Sequence, residues 1–471
     1  MSRVTSSIFG ASHTDNFRID GFVHDGPYWE LPIEVLPRVI TDEEDSEEPP
    51  DGGFLAWLHV FVGFFIIMNA QGLNQASQGP RCKKWLLILC KSYGVFQAYY
   101  ETVLLPHESS ATITWIGSTQ VFLLFFMSVV VSPLVDKGLF RLCFHGGSLL
   151  LVASVFITSC CTHWWQFFLV QGVMTGAGMG LVFASGSLIL MAYFSKHIGL
   201  ALGLASSGGS VGGMVFPAVA QQLVTKIGFP WTVRVIALIV LITIIPAQIV
   251  VRDHKGWKRK ASPSMDWTMF RDIPYLLMAA GLFFVLWGIY FGFYYIVVYG
   301  QTSLHLPPNP SITLLILMNA LNAPGRILPT LISDTCLGPL NTLIPIALLT
   351  SFTLYLWIGC TTHVSLMFLS CFYGLCAGGL QGLYIPLIRA FSVPKRCPTE
   401  AENKVGVRLA FSFFWISVAT LTGAPLGGAL LGKMNGGFLG AQLFAGSSVL
   451  VGSLLLIAAR WTREGWGPAK V

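Results

Sequence analysis

Twelve long apolar runs occupy most of this sequence, and they constrain its fold more than any other feature. Each run covers roughly 20 to 30 residues, which is the length that an α-helix needs to cross the hydrocarbon core of a bilayer. Hydrophobic residues make up 54% of the 471-residue chain and charged residues only 11%, whereas soluble domains carry about 25% charged residues. The sequence therefore predicts an all-α membrane protein with twelve transmembrane helices. The runs begin near Phe54, Thr112, Phe140, Trp164, Gly199, Pro230, Tyr275, Ser311, Pro339, Val364, Val405 and Gly437.

The longest polar interruption after the N-terminal segment falls between the sixth and seventh runs and divides the twelve into two sets of six. The N-terminal segment itself is acidic and contains few apolar residues that could offset its ordering entropy. The predicted organisation is a disordered acidic cytoplasmic tail at 1–50, a six-helix bundle at 51–251, a cytoplasmic linker at 252–272, a second six-helix bundle at 273–460 and a cytoplasmic tail at 461–471.

Lysine and arginine collect in the connections on one side of the predicted membrane. The other side carries only Lys226 and Lys433 once residues 76–91 are set aside. Cytoplasmic connections of membrane proteins carry such an excess of cations, so both termini are predicted to be cytoplasmic, and the expected location is the plasma membrane. We call the cation-rich side the basic face; it carries Lys137, Arg141, Lys196, the 252–271 cluster, Arg389, Lys395, Arg396, Lys404, Arg408, Arg460, Arg463 and Lys470.

Residues 76–91 do not fit this pattern, because they add four cations to a connection on the opposite face. They also interrupt a first run that would otherwise continue from GLNQ into SYGVFQAYYE. Two explanations remain open: a genuine extracellular loop, or a retained intron or misplaced splice boundary in the gene model. The second explanation is our prediction, and the transcript sequence decides between them.

The sequence contains short patterns that resemble enzyme motifs, but the context of each pattern does not support an enzymatic function. GGSVG at 208–212 matches the G-x-S-x-G nucleophile elbow in letters, but that elbow requires a preceding strand. Here it lies inside a glycine-rich transmembrane run. HESSA at 107–111 lacks the second histidine of H-E-x-x-H, and the ten cysteines form no C-x-x-C pair. We predict no enzymatic activity, no cofactor, no metal site and no nucleic-acid partner.

Glycines within the runs and charged residues at their ends are candidates for a role in gating. Gly208 and Gly212 in the fifth run are four residues apart, a spacing that lets transmembrane helices approach closely. Asp136 and Arg141 lie at the basic-face end of the second run, and Asp334 lies at the matching end of the eighth. Charged residues at corresponding positions of two six-helix halves are typical of duplicated transporters. These five residues are predicted to contribute to gating, although static packing explains the glycine spacing equally well.

SPLVDKGLFR at 132–141 resembles the G-x-x-x-D-R-x-G-R-R loop of the major facilitator superfamily, with Ser132 in place of the glycine and Lys137 in place of the arginine. Three other segments resemble the monocarboxylate porter family of that superfamily, in particular its fungal members: PDGGFLAW at 50–57, YFSKHIGLALGLASSGGSVGG at 193–213 and GRILPTLISD at 325–334. The resemblance covers about residues 50–460 and departs from the family pattern at His197 and Ile198. It implies two six-helix bundles around a central cavity that opens alternately to each side of the membrane.

The resemblance also implies where a substrate is bound. Proton-coupled members carry an arginine in the eighth helix, an aspartate four residues before it and a lysine in the first helix. The arginine matches Arg326, the aspartate position holds Asn322, and the lysine position falls near Asn74 and Gln75.

Arg326 is the least expected residue of the eighth run, because a charge at the depth of a span costs at least about 2.5–3.5 kcal/mol. Asn319, Asn322 and Arg326 are spaced i, i+3 and i+7, so they share one helical face. We predict that this polar face borders the central cavity and that Arg326 binds a carboxylate or similar acid. The alternative is a strut that bonds backbone carbonyls or Asp334.

The sequence therefore predicts a secondary transporter that moves a small organic acid or acidic metabolite, acts as a monomer and favours export. Acidic residues lie only in the tail, in connections or at the ends of spans, so the carboxylate of a lactate-type proton symporter is missing. Coupling through Glu101, His59 or His145 stays open. Two alternatives also stay open: proton-coupled uptake of monocarboxylates, and a membrane sensor that binds the same ligand without transporting it.

Overall fold

The computed structural model of the chain describes residues 52–77, 104–105, 108, 110–194, 196–251, 267–392, 398–434 and 436–465. Within these ranges the regular elements are helices and no strand is present. The predicted tail at 1–50, most of the linker and the last six residues lie outside the described ranges. So does the 76–91 segment, apart from the helical backbone of its first two residues.

Twelve helices, named α1 to α12 in chain order, follow the predicted runs closely. A 3-10 turn at Trp267–Arg271 precedes α7, and a π-helical turn at Ser333–Leu337 extends α8. The helices are α1 Phe54–Ser77, α2 Ser110–Asp136, α3 Phe140–Thr158, α4 Trp164–Tyr193, α5 at 198–227, α6 at 229–250, α7 Ile273–Thr302, α8 Pro308–Ile332, α9 Pro339–Leu356, α10 His363–Ser392, α11 Pro398–Lys433 and α12 Leu439–Glu464.

The boundary between α5 and α6 lies at Gly228. Helical hydrogen bonding runs without a gap from Ile198 to Val250, a stretch of 53 residues. A straight helix of that length would measure about 80 Å, far more than the hydrocarbon thickness of about 30 Å. Gly228 breaks it with a φ of 76° and a ψ of 169°, a conformation that glycine adopts readily and other residues avoid. Eleven long apolar helices in the described chain therefore correspond to twelve spans.

The two sets of six helices repeat the same packing. In the N-terminal half α1 packs on α5, α2 on α4, and α3 on α4; in the C-terminal half the matching pairs are α7 with α11, α8 with α10, and α9 with α10. Side chains of α6 bond to α1 and α3, as Thr243 does to Asn69 and Gln248 does to Ser148. The halves meet through α2 with α11 and α5 with α8. The twelve-span, two-bundle fold is confirmed, whereas the residue limits 51–251 and 273–460 stay predictions.

Glycine lies where these helices approach most closely. A Cβ at Gly208 would overlap the backbone oxygen of Phe64, and one at Gly212 would overlap that of Met68. Both contacts join α5 to α1 inside the N-terminal half. In lipid, helices associate through such close packing because there is no hydrophobic gain in bringing them together. The structure thus gives Gly208 and Gly212 a packing role, and their part in gating stays a prediction.

Gly208→Ala should destabilise the protein by about 1–3 kcal/mol, because backbone must move to admit the new methyl group. The matched control is Gly146→Ala in α3, where a Cβ meets nothing within 4 Å. Thermal unfolding of both purified variants in detergent measures the difference. Equal transition temperatures for the two variants would contradict the proposed close contact between α1 and α5.

Candidate substrate site around Arg326

Arg326 lies near the middle of α8 and is only 1% exposed. The backbone of α8 packs closely against α10 at this position. A Cβ at Gly382 would overlap the Arg326 carbonyl oxygen, and a Cβ at Gly378 would overlap the Asn322 carbonyl oxygen. On the other side, Gly209 of α5 lies directly against the guanidinium Nη1. Three glycines on two neighbouring helices therefore create the room in which this large cation is buried.

The guanidinium bonds both halves of the protein. Nε donates to Asn322 Oδ1 at 2.8 Å, and Nη2 donates to Gln381 Oε1; both partners belong to the C-terminal half. Nη1 donates to Gln71 Oε1 at 2.7 Å and to the Ser206 carbonyl oxygen at 2.5 Å, both in the N-terminal half. We call Arg326 and these four partners the Arg326 cluster. Every acceptor in it is uncharged.

The two predicted asparagines of α8 occupy different positions. Asn322 joins the cluster: its Oδ1 also accepts from Ser210 Oγ at 2.6 Å, and its Nδ2 donates to the Gly374 carbonyl oxygen at 3.3 Å. Asn319 bonds only its own helix in the described structure, through Nδ2 and the Leu315 carbonyl oxygen at 3.1 Å. Its buried Oδ1 has no hydrogen-bond partner among the described residues, which leaves one acceptor available two turns from Arg326.

In the first helix, the side chain that reaches Arg326 is Gln71. Asn74, one turn further along α1, is buried and has no described hydrogen bond to Arg326, while the side chain of Gln75 lies outside the described structure. Sequence reasoning did not select Gln71, Ser206 or Gln381. Gln71 and Gln381 are polar residues in the middle of otherwise apolar spans, and that feature could have identified both.

Two tyrosines lie near the Arg326 guanidinium, and one of them belongs to a larger group of packed rings. The phenol groups of Tyr290 in α7 and Tyr384 in α10 lie close enough to interact electrostatically with the guanidinium. Tyr384 also packs against Phe125 and Phe413, whose rings are stacked at a centroid distance of 6.0 Å, and Phe183 completes the group. Because Phe125 and Phe183 belong to the N-terminal half, these rings join the halves just as the guanidinium does.

The predicted gating residues lie at the basic-face ends of the helices. Asp334 Oδ1 accepts from the backbone N–H of Gly199 at 3.1 Å and Oδ2 from that of Leu200 at 2.8 Å, so it caps α5 from the opposite half. The carboxylate of Asp136 lies beside Gly406 of α11, where a Cβ would approach Oδ2 within 3.6 Å. Arg141 instead lines a cavity between α3 and α6. Asp334 is therefore not the partner of Arg326, which lies about 12 Å away along α8.

The donors of the Arg326 guanidinium have the charge and geometry that binding of an anion requires. A buried guanidinium surrounded by neutral dipoles keeps its full positive charge, because arginine does not deprotonate at working pH. Its planar donor arrangement matches the two oxygens of a carboxylate. A buried charge is stabilised far better by an opposite charge and hydrogen bonds together than by hydrogen bonds alone.

Twelve helices in two similarly packed halves, with polar side chains meeting between them, are typical of secondary membrane transporters. A family model described as Major Facilitator Superfamily matches residues 87–399, which is about two thirds of the chain. The chain belongs to the Major Facilitator Superfamily. It is a multi-pass membrane transporter and not an enzyme.

Similar proteins come from filamentous fungi. The chain is 33% identical to an MFS-type transporter of Gibberella zeae, over 88% of this chain and 89% of that protein. It is 32% identical to the aspyridones efflux protein of Emericella nidulans, over 90% of this chain and 82% of that protein. The agnestins efflux protein of Paecilomyces divaricatus is 31% identical over 78% of this chain and 82% of that protein. The family model and these similar proteins support the assignment to the major facilitator superfamily and the predicted resemblance to fungal members. Membership of the monocarboxylate porter branch stays a prediction.

Asp334→Ala should speed hydrogen exchange at the amides of Gly199 and Leu200 by about tenfold or more, because a hydrogen bond to a charged group contributes about 1.5–3 kcal/mol. Hydrogen–deuterium exchange of the purified protein, read by mass spectrometry on peptides covering 196–205, measures this. Cys336→Ala, at an exposed position in the same turn, is the control. Unchanged exchange in Asp334→Ala would show that the carboxylate does not hold the halves together.

Proposed function

We propose that this transporter exports an acidic metabolite by alternating access and that Arg326 binds the acidic group of the cargo. The observation that supports this proposal most directly is the set of partners around the guanidinium. A permanent cation lies buried between the two halves, and its described hydrogen bonds go to neutral acceptors only. An anionic cargo would supply the opposite charge that those acceptors lack.

Cargo binding is proposed to proceed by exchange of hydrogen-bond partners. Nη1 donates to Gln71 and to the Ser206 carbonyl oxygen, which are its two partners in the N-terminal half. A carboxylate that takes over these donors breaks the bonds between the halves at this level. Binding and the movement of the halves are then one event, as alternating access around a central site requires.

The aromatic side chains favour a cargo with an apolar body. Phe125, Phe183 and Phe413 pack with Tyr384 beside the cation, and rings of this kind bind planar or aliphatic groups through dispersion and edge-to-face contacts. An amphipathic acid would place its acidic group on Arg326 and its apolar part against these rings. A very short acid would leave the rings without contact.

Two observations favour export over proton-linked uptake. The position that holds the proton-carrying aspartate in the symporters is Asn322, whose amide accepts a hydrogen bond from Arg326 and cannot carry a proton. Two of the similar proteins are named as efflux proteins, for aspyridones and for agnestins. We further propose membership of the monocarboxylate porter branch, a plasma-membrane location with both termini cytoplasmic, and function as a monomer.

The cargo is identified by metabolite profiling of cells and medium with and without the gene, and its flux is then measured in proteoliposomes. Arg326→Ala should abolish flux almost completely. Arg326→Lys should lower it at least tenfold, because lysine lacks the planar donor pair that binds a carboxylate. Arg234→Lys is the matched control, since Arg234 bonds Ser159 and stacks on Trp231 away from the cluster. Normal flux in both Arg326 variants would refute the proposed site.

Gln71→Glu separates cargo binding from a purely structural role of Arg326. The new carboxylate would pair with the guanidinium inside the protein, so thermal stability should rise while flux falls at least tenfold through competition with the cargo. Gln71→Met, which removes the acceptor without adding a charge, should lower stability and change flux less. A Gln71→Glu variant with raised stability and unchanged flux would show that Arg326 only braces the helices.

A further inference from the structure

A second polar site lies on the outside of the N-terminal half, at its basic-face end. A cavity of about 370 Å³ between α3 and α6 is lined by Arg141, His145, Gln248, Ile249 and Val251. Two of these residues follow the start of α3 within its first two turns, and the other three surround the end of α6. The cavity contains no part of the Arg326 cluster, and the transport mechanism proposed above does not use it.

The polar wall of this cavity is held in place by a chain of hydrogen bonds. His145 Nδ1 bonds Gln248 Oε1, so this ring nitrogen is the donor. Gln248 Nε2 donates to Ser148 Oγ at 2.6 Å, and Ser148 Oγ donates to the Phe144 carbonyl oxygen at 2.8 Å. The imidazole therefore keeps Nε2 as its second polar atom, and Arg141 contributes a positive charge. The wall combines a cation with a fixed imidazole.

The surroundings of the cavity indicate what kind of molecule can reach it. Leu142 and Leu149 of α3 are 67% and 73% exposed, and Ile242 and Ile249 of α6 are 66% and 65% exposed. On a transmembrane helix such residues face lipid. Arg141 directly precedes Leu142, so the cavity lies where the lipid-facing surface ends and the headgroup layer begins. A molecule bound there has its polar end at Arg141 and its apolar part along the two helices.

We propose that this cavity binds the headgroup of an anionic phospholipid. The phosphate would bind Arg141, and a hydroxyl or ammonium group of the headgroup would donate to His145. Basic cavities between transmembrane helices at the cation-rich face suit such headgroups because the phosphate charge is complementary. A bound lipid would then link α3 to α6, the helices that end the first and the second set of three helices in the N-terminal half.

Native mass spectrometry of the full-length protein in detergent tests this proposal, with phosphatidylglycerol as the probe and phosphatidylcholine as the zwitterionic comparison of zero net charge. Wild-type protein should bind phosphatidylglycerol saturably and in preference to phosphatidylcholine. Arg141→Gln should bind it about fivefold more weakly, the contribution expected of one basic residue near an anionic surface. Lys137→Gln, an exposed cation of the same connection outside the cavity, should match the wild type.

A second variant keeps the test decisive if Arg141→Gln does not fold. Ile249→Trp leaves the charge in place and fills the mouth of the cavity at an exposed position, so it should also weaken phosphatidylglycerol binding. Wild-type affinity in both variants would overturn the proposal. So would displacement of the lipid by millimolar inorganic phosphate, because the site would then bind free phosphate and not a lipid. Neither result bears on the cargo site, which is tested by flux.

Discussion

The need to satisfy one guanidinium at the depth of the bilayer organises the centre of this protein. No water of the bilayer core is available to solvate Arg326, and arginine keeps its charge, so protein dipoles must surround it. Four acceptors from α1, α5, α8 and α10 converge on it. They reach it only because glycines lie at the crossings: Gly209 leaves space beside the guanidinium, and Gly378 and Gly382 let α10 lie against the backbone of α8. The positions of four helices are thus coupled to one side chain.

The same coupling explains how the halves are held in the state described here. At the level of Arg326 they are joined by its bonds to Gln71 and Ser206 and by the contact of Phe125 with Phe413. Closer to the basic face, Asp334 caps α5, and Arg389 Nη1 donates to the Phe194 carbonyl oxygen at 3.0 Å. Both of these contacts cross from one half to the other. The structure is therefore closed on the basic face, and release of the central contacts alone would not open it there; the Asp334 cap must break as well.

Apolar length, cation distribution and glycine spacing predicted the fold from the sequence because a bilayer leaves few alternatives: a spanning chain must satisfy its backbone within each helix. For this reason eleven of the twelve predicted starting positions lie within about three residues of the start of a helix, and among them the sixth, near Pro230, lies just after the break at Gly228. The eleventh helix begins at Pro398, seven residues before the predicted Val405.

The site was predicted in part. Arg326 and Asn322 were found because a charge and an amide are conspicuous in an apolar run, whereas Gln71, Gln381 and the Ser206 carbonyl oxygen were not. Their involvement depends on which helices cross at that depth, and a backbone carbonyl leaves no trace in the sequence at all. In α1 the family resemblance pointed to Asn74 and Gln75, about one turn beyond Gln71, because the interruption at 76–91 obscures the alignment of that helix.

The neutral partners of Arg326 have a consequence for the transport cycle that follows from charge alone. Where a symporter holds an aspartate beside its arginine, that carboxylate already compensates the charge of the arginine. Here Asn322 holds the aspartate position, and none of the four described partners compensates the charge of Arg326. A monoanionic cargo neutralises it. Because an uncompensated charge in a low-dielectric interior is costly, the loaded cluster is easier to separate from its dipoles than the empty one, and the movement of the halves is favoured when cargo is bound. Under the proposed function, an amide at the position of Asn322 therefore leaves this site without a proton carrier and couples reorientation to the presence of an acidic cargo.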